Sequence, residues 1–200
     1  DEVDGTLTDD GVWRNDGFGA VDDATTSLIA GSADSSNDLP YTSLALRYTL
    51  AVDEDTVIDN AQLTLTRNVS GGSAADCGFI VYGVTVTNDI PWPTTASELQ
   101  TIISTGQVTS AFGEFVYPSI GLVGDEYVVN VTGVIQELIN QTVWESGEHL
   151  LLLVYANNPS SGSGLATFDS LETVGGSPAT LSVVTIPTES YTYFPVNIEF

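Results

Sequence analysis

Basic side chains are nearly missing from this 200-residue chain, in which lysine and arginine together number 3 against 27 carboxylates, for a net charge of −24. All three are arginines, Arg14, Arg47 and Arg67. Without a basic patch, phosphate backbones and anionic headgroups find no counter-charge, so neither nucleic acid nor an acidic membrane surface is an expected partner. Cysteine occurs once, at Cys77, which excludes an internal disulfide. Its setting, Asp76-Cys77-Gly78-Phe79-Ile80-Val81, predicts a small buried hydrophobe, because a nucleophilic thiol wants a nearby base or positive charge. Export remains compatible with this, since a large β core does the work of cross-links in many surface proteins. Methionine is absent and the chain begins at Asp1. That points to removal of a signal or propeptide, or to a piece of something longer. No apolar run reaches the roughly 18 residues needed to cross a bilayer, so membrane insertion is not expected; the longest, 150–156, is strand-sized.

Catalytic signatures are equally scarce. His149 is the only histidine and immediately precedes the apolar run Leu150-Leu151-Leu152-Leu153-Val154, a position that reads as structural. There is no phosphate loop, no His-Glu-x-x-His helix, no elbow serine and no cysteine with a catalytic partner. Acids are abundant, but acids that do not converge in a cleft are a solvated surface, so the expectation is a protein that is not an enzyme.

What is present is a core. Hydrophobic residues make up 42% of the chain, enough for one domain. Such an acidic exterior repels itself at low salt, whereas at seawater-like ionic strength the screening length falls to roughly 4 to 5 Å. A saline or extracellular setting fits, and plain solubility of a secreted or assembled protein explains the charge equally well.

Periodicity then assigns the elements. Val131, Val134, Ile135, Leu138 and Ile139 recur at helical spacing, predicting one short helix near 132–140. A second helical turn is expected over 96–104, from Leu99, Ile102 and Ile103 after the prolines at 91 and 93. Elsewhere the period is two. Segments 25–31, 41–50, 56–67, 77–87, 112–117, 126–131, 149–155, 165–170 and 179–186 carry β-branched and aromatic residues between Gly, Ser and Asp turns. With no βαβ alternation, the expected fold is all-β: an antiparallel two-sheet sandwich, jelly-roll-like, spanning 25–187. Residues 1–24, rich in Asp and Gly, read as an acidic extension or edge segment, and 188–200 as a final strand or arm. Tyr191, Tyr193, Phe194 and Phe200 in that tail are candidates for pairing with a neighbouring copy.

An ordered set of landmarks adds a family resemblance. Ser43-Leu44-Ala45-Leu46-Arg47-Tyr48, Ile58-Asp59-Asn60-Ala61-Gln62-Leu63-Thr64-Leu65, Val129-Asn130-Val131-Thr132-Gly133-Val134-Ile135-Gln136-Glu137-Leu138, Gly164-Leu165-Ala166-Thr167-Phe168-Asp169-Ser170-Leu171-Glu172 and Pro178-Ala179-Thr180-Leu181-Ser182-Val183 follow one another as in the DNRLRE-type domain. That family is a secreted β-sandwich module similar to carbohydrate-binding modules. The order covers roughly 20–187, and Leu171 stands where the family commonly has a basic residue. The resemblance implies a non-catalytic domain of exported proteins, appended to polysaccharide-degrading enzymes or carried on cell or virion surfaces.

Candidate sites follow from residue chemistry. Arg47, a cation within a core strand, is expected to form a structural ion pair with Asp169 or Glu172, with an acidic sugar as the functional alternative. Calcium is the plausible ion, because acidic turns supply hard oxygen ligands, with Asp9, Asp10, Asp16, Asp22 and Asp23 the leading candidates; no cofactor is required. Rings that a turn could present to a sugar are Trp13, Trp92, Trp144, Tyr41 and Tyr117, with core or interface packing the expected fate of each. Sequons stand at Asn68, Asn130 and Asn140. The expected function is an extracellular surface or binding module, polysaccharide-binding or adhesive. The alternative is a structural assembly subunit, such as a virion decoration protein or an extracellular filament subunit, whose partners are copies of itself or a larger assembly.

Overall fold

The computed structural model describes residues 2–14, 21–22, 28–31, 42–68, 76–85, 98, 101–102, 104–156 and 165–187, and the statements below concern these. The strands are β1 (Glu2–Arg14), β2 (Val21–Asp22), β3 (Leu28–Gly31), β4 (Thr42–Thr49), β5 (Ile58–Thr66), β6 (Cys77–Gly83), β7 (Gly113–Tyr117), β8 (Glu126–Asn130), β9 (His149–Ala156), β10 (Leu165–Phe168) and β11 (Thr180–Thr185). One helix, α1 (Thr132–Ile139), lies between β8 and β9. Glu98, Thr101, Ile102 and Ser104 are also helical, on the connection where a helical turn is expected.

All pairings are antiparallel, in two layers ordered β1-β11-β5-β8 and β4-β9-β6-β7. Among these eight strands, each step along the chain changes layer except β6 to β7, which is the winding of a jelly roll. The fold is therefore all-β with one short helix, as the periodicity predicts.

Alternation fills the space between the layers. Leu44, Leu46 and Tyr48 of β4, Phe79 and Val81 of β6, Leu63 and Leu65 of β5 and Leu181 and Val183 of β11 belong to one buried cluster. Strand β9 breaks the alternation because both of its faces are covered. Leu150, Leu152 and Val154 enter the main core, while Leu151 and Leu153 pack with Ala45 and Val84 in a second cluster under Ile102 and Val108. A strand buried on both sides reads in sequence as an unbroken apolar run.

The helix completes the interior. Val134, Ile135, Leu138 and Ile139 are its buried stripe, each worth roughly 1.5–3 kcal/mol of burial. Strand β8 pairs β5 only from Gln62 onward. The helix takes over the earlier backbone: Ala61 N–H donates to Thr132 Oγ1 at 2.9 Å and Ile58 N–H to Gln136 Oε1 at 2.8 Å. Gly83 makes the approach possible, since a Cβ there would lie 2.6 Å from Leu138 Cδ1.

The N-terminal reading needs correction. Residues 2–14, expected to be irregular or at an edge, form a strand whose two parts pair with different neighbours: Glu2 to Gly5 with β11, then Thr6 to Arg14 with β4 across a register shift between Leu7 and Asp9. A bulge of this kind bends a strand, and here the bend carries β1 from one layer to the other. Its side chains gave little signal because pairing is mostly main-chain; Val3 and Leu7 are only partly buried. The expected arm at 188–200 lies outside the described residues.

Candidate ligand-binding face

The outer face of the β4-β9-β6-β7 layer is covered at one end and open at the other. Where the lid of Ile102 and Val108 stops, Tyr82 of β6, Tyr155 of β9 and Phe112, just before β7, continue the apolar surface. Tyr82 and Tyr155 stack with ring centroids 5.3 Å apart and planes 15° from parallel, and Phe112 leans on Tyr82 at 5.7 Å and 46°. The tyrosines are half-buried and Phe112 is 50% exposed, so the row is anchored yet open to solvent. Burial first, then the neighbouring Tyr82 charge and a side-chain hydrogen bond to Tyr82, raise the Tyr155 phenol well above its ordinary value, so that ring stays neutral at physiological pH.

Strand parity places the rings. In β6 the core takes Cys77, Phe79, Val81 and Gly83, leaving Ile80 and Tyr82 outward; on β9, Tyr155 is level with Ile80. Register β6 to β7 puts Glu114 opposite Ile80, and Val116 beyond it is 61% exposed.

Phe112 is held from two directions. Thr109 Oγ1 accepts the Gly83 N–H at 3.0 Å and donates to Ala111 carbonyl at 2.8 Å. From the helix, Glu137 accepts Ser110 N–H at 2.8 Å, Ser110 hydroxyl at 2.9 Å and Ala111 N–H at 3.0 Å. Burial pushes the Glu137 carboxyl up, but the bonds from Ala111 and Ser110 outweigh it and leave it below its ordinary value. A depressed carboxyl contributes stability above its unfolded value, about 4.3, and loses it as pH falls through the lower folded one. Glu137→Gln is therefore expected to lower stability at pH 7, as read from urea unfolding, by less than about 1 kcal/mol at this partly exposed site. The gap between the two proteins should close as the pH is taken below 4; a gap that widens in acid would refute the assignment.

The structure distributes the sequence-derived candidates differently. Tyr117, a candidate for sugar contact, is instead a core ring, as the packing reading expects: it is 1% exposed, stacks on Tyr127 at 5.1 Å and carries the Arg67 guanidinium 4.2 Å over its ring. Trp144 is likewise buried, its Nε1 donating to Val52 carbonyl at 2.7 Å. Neither can present a face to a sugar. Trp13 is a β1 residue opposite Ser43; Tyr41 and Trp92 lie outside the described residues.

Asp9-Asp10-Gly11 is not a chelating turn but paired strand, with Asp9 opposite Arg47 and Asp10 opposite Leu46. Asp10 is buried and its Oδ2 accepts the Leu171 N–H at 2.8 Å, tying β1 to the turn after β10. Asp22 belongs to β2, while Asp16 and Asp23 lie outside the described residues, among which no group of three or more His, Cys, Asp or Glu could hold a metal. Arg47 lies between Asp9 and Leu151 in register. Asp169 Oδ2 accepts the Ser177 N–H at 2.8 Å, and Glu172 is exposed in the following turn. Among the described residues the arginine with no exposed surface is Arg67, which donates to Pro118 carbonyl at 3.3 Å and Tyr127 hydroxyl at 3.2 Å.

Cys77 is buried and burial raises its thiol, as its sequence setting predicts. His149 opens β9 opposite Thr49. At the sequons, Asn130 Oδ1 accepts the Thr132 N–H, Asn140 Oδ1 accepts from Gln136 Nε2, and the Asn68 N–H donates to Thr167 carbonyl. No helix among the described residues is long and apolar enough to cross a membrane.

Sequence reasoning missed Tyr82, Tyr155 and Phe112 as a group because they come from two strands and a loop that are far apart in sequence. The usable signal was parity, since Tyr82 alternates with buried Val81 and Gly83. No family model matches the chain, and no curated protein matches it.

Proposed function

We propose that this protein is a non-catalytic polysaccharide-binding or adhesive module of an extracellular, cell-surface or virion-surface protein. The observation that carries this is the ring row Phe112, Tyr82 and Tyr155, open to solvent on a rigid sheet and braced by Glu137 and Thr109. Aromatic rings suit the C–H faces of sugars, and a ring row held in place limits the entropy lost on binding. The DNRLRE-type resemblance supports the same reading, and the net charge of −24 supports a saline setting.

A protein of this charge migrates rapidly in native gels, so affinity electrophoresis is the direct test. Gels containing hydroxyethyl cellulose, galactomannan, carboxymethyl cellulose, alginate or hyaluronan should include at least one that retards the wild-type chain. The double variant Tyr82→Ala, Tyr155→Ala should bind at least about tenfold more weakly, as losing two stacked rings implies. Retardation that survives the double substitution, or none in any gel, sinks the reading.

The assembly-subunit reading draws on another feature. The loop between β7 and β8 exposes Ile120 at 87%, Leu122 at 70% and Val123 at 60%, while Gly121 packs on Arg67 and Asp125 Oδ2 accepts the Leu122 N–H. Rigidly displayed aliphatic residues are a contact surface for neighbouring copies. Gels without polysaccharide report on it: slow oligomer bands that Leu122→Asp removes favour it, and a single monomer band at high salt rejects it.

A further inference from the structure

We propose that the ring row selects sugar units bearing a protonated amino group, as in a deacetylated chitin-type polymer, with the ammonium seated between the Phe112 ring and the Glu114 carboxylate. This rests on the polysaccharide-binding reading and adds the chemical class of the sugar.

Register and parity put ring and carboxylate side by side. Gly113 pairs with Val81 and Glu114 with Ile80, while the Phe112 ring leans on Tyr82. Gly113 and Tyr117 are buried and Phe115 packs on the core, so Glu114 projects from the outer face that also carries Phe112. Both side chains are exposed. Residues two apart on one strand face are about 7 Å apart, a gap that an ammonium spans with the ring on one side and the carboxylate on the other. A pyranose stacked by its face directs its equatorial substituents sideways, and for a unit on Phe112 one such direction is toward Glu114. Neutral sugars use the same rings, so an amino group adds to stacking rather than replacing it.

The charges that bear on this end of the face are negative. Glu137 holds Ser110 and Ala111 immediately before Phe112, and its three hydrogen bonds make it a source of field rather than a contact. Every arginine is farther off. Arg47 is on the same outer face, since Leu46 and Tyr48 fill the core, but it lies on β4, three strands from β7 and so about 14 Å across. Along the strands it is level with Leu151, whereas Glu114 is level with Tyr155, a further offset of about 13 Å. The resulting separation of about 19 Å is more than twice the screening length of about 8 Å in 0.15 M salt. Asp9 stands opposite Arg47 in register. Arg14 ends β1 opposite Thr42, one strand beyond β4, and Arg67 is buried in the core. Lysine is absent from the chain. A cationic sugar therefore gains from the ring face, from Glu114 and from the net charge of −24, while a neutral one gains from the rings alone.

Calorimetry on the full chain tests this with trisaccharides of glucosamine, N-acetylglucosamine and glucose, which share one linkage, at about pH 6, below the usual range of amino groups. The glucosamine ligand should bind at least about tenfold more tightly than either neutral one at low salt, and within about threefold of them in about 1 M salt, where the screening length is about 3 Å. Glu114→Gln should bring the glucosamine-to-glucose ratio within about threefold at low salt. Asp4→Asn, which removes an exposed charge from the other layer, should leave that ratio as in the wild type. Spermidine, cationic but without a sugar face, should bind at least about tenfold more weakly than the glucosamine ligand. Equal affinity for the three trisaccharides, no measurable binding of the glucosamine ligand, a ratio untouched by Glu114→Gln, an equal loss with Asp4→Asn, or spermidine binding as tight as glucosamine overturns the proposal. If polymer retardation still requires Tyr82 and Tyr155 in those cases, the polysaccharide-binding function stands; absence of retardation by every polymer, with no trisaccharide bound, removes both.

Discussion

Replacing Arg67 by alanine is expected to destabilise the fold by about 3 kcal/mol or more, the largest effect of any single polar substitution here. Its guanidinium lies 4.2 Å over the Tyr117 ring and donates to Pro118 carbonyl and Tyr127 hydroxyl. Truncation removes the cation–π contact, leaves those two oxygens without this donor and opens a cavity beneath Gly121, where a Cβ would clash with the guanidinium. For a domain of this size 3 kcal/mol lowers Tm by roughly 6–12 °C. Arg67→Lys should recover only part of the loss, since an ammonium neither stacks flat nor forks to two acceptors. Calorimetric melting of the three proteins decides it, and a loss under about 1 kcal/mol for the alanine variant would mean that the loop collapses around the gap.

Trp144→Ala should cost a similar amount, about 3–5 kcal/mol, through loss of a buried indole from the main cluster. Trp144→Phe separates the two contributions. It keeps most of the packing but leaves the Val52 carbonyl without the Nε1 donor 2.7 Å away, a loss of about 1–3 kcal/mol. Urea unfolding followed by far-ultraviolet circular dichroism measures both; equal losses for Ala and Phe would assign the whole effect to the hydrogen bond, against the packing argument.

Legibility in the sequence tracked how local the cause was. The helix at 132–139 was readable because its stripe, Val134, Ile135, Leu138 and Ile139, repeats within two turns. Strand β9 was readable because cover on both faces writes an unbroken run of leucines. Strand β1 was not, because its place is fixed by main-chain pairing to β4 and β11, which leaves no mark on Asp4, Gly5, Asp9 or Gly11.

The arginines illustrate the same limit. Arg47 and Arg67 both sit among alternating strand residues, and only the β7–β8 loop, remote in sequence, encloses Arg67. Aromatic residues were legible as a set, but their sides were not. Tyr117 went inward and Tyr82 outward on neighbouring strands, a difference settled by register rather than composition.

The strand shared between the layers also governs the order in which the molecule can be finished. Glu2 pairs with Val184, so the first residues of the described chain lack this neighbour until β11 has been made. Contacts between such distant positions close slowly, and until then β11's place beside β1 is an open template for strands from other molecules. Dilution and speed of folding, as much as final stability, therefore decide the yield of properly closed molecules.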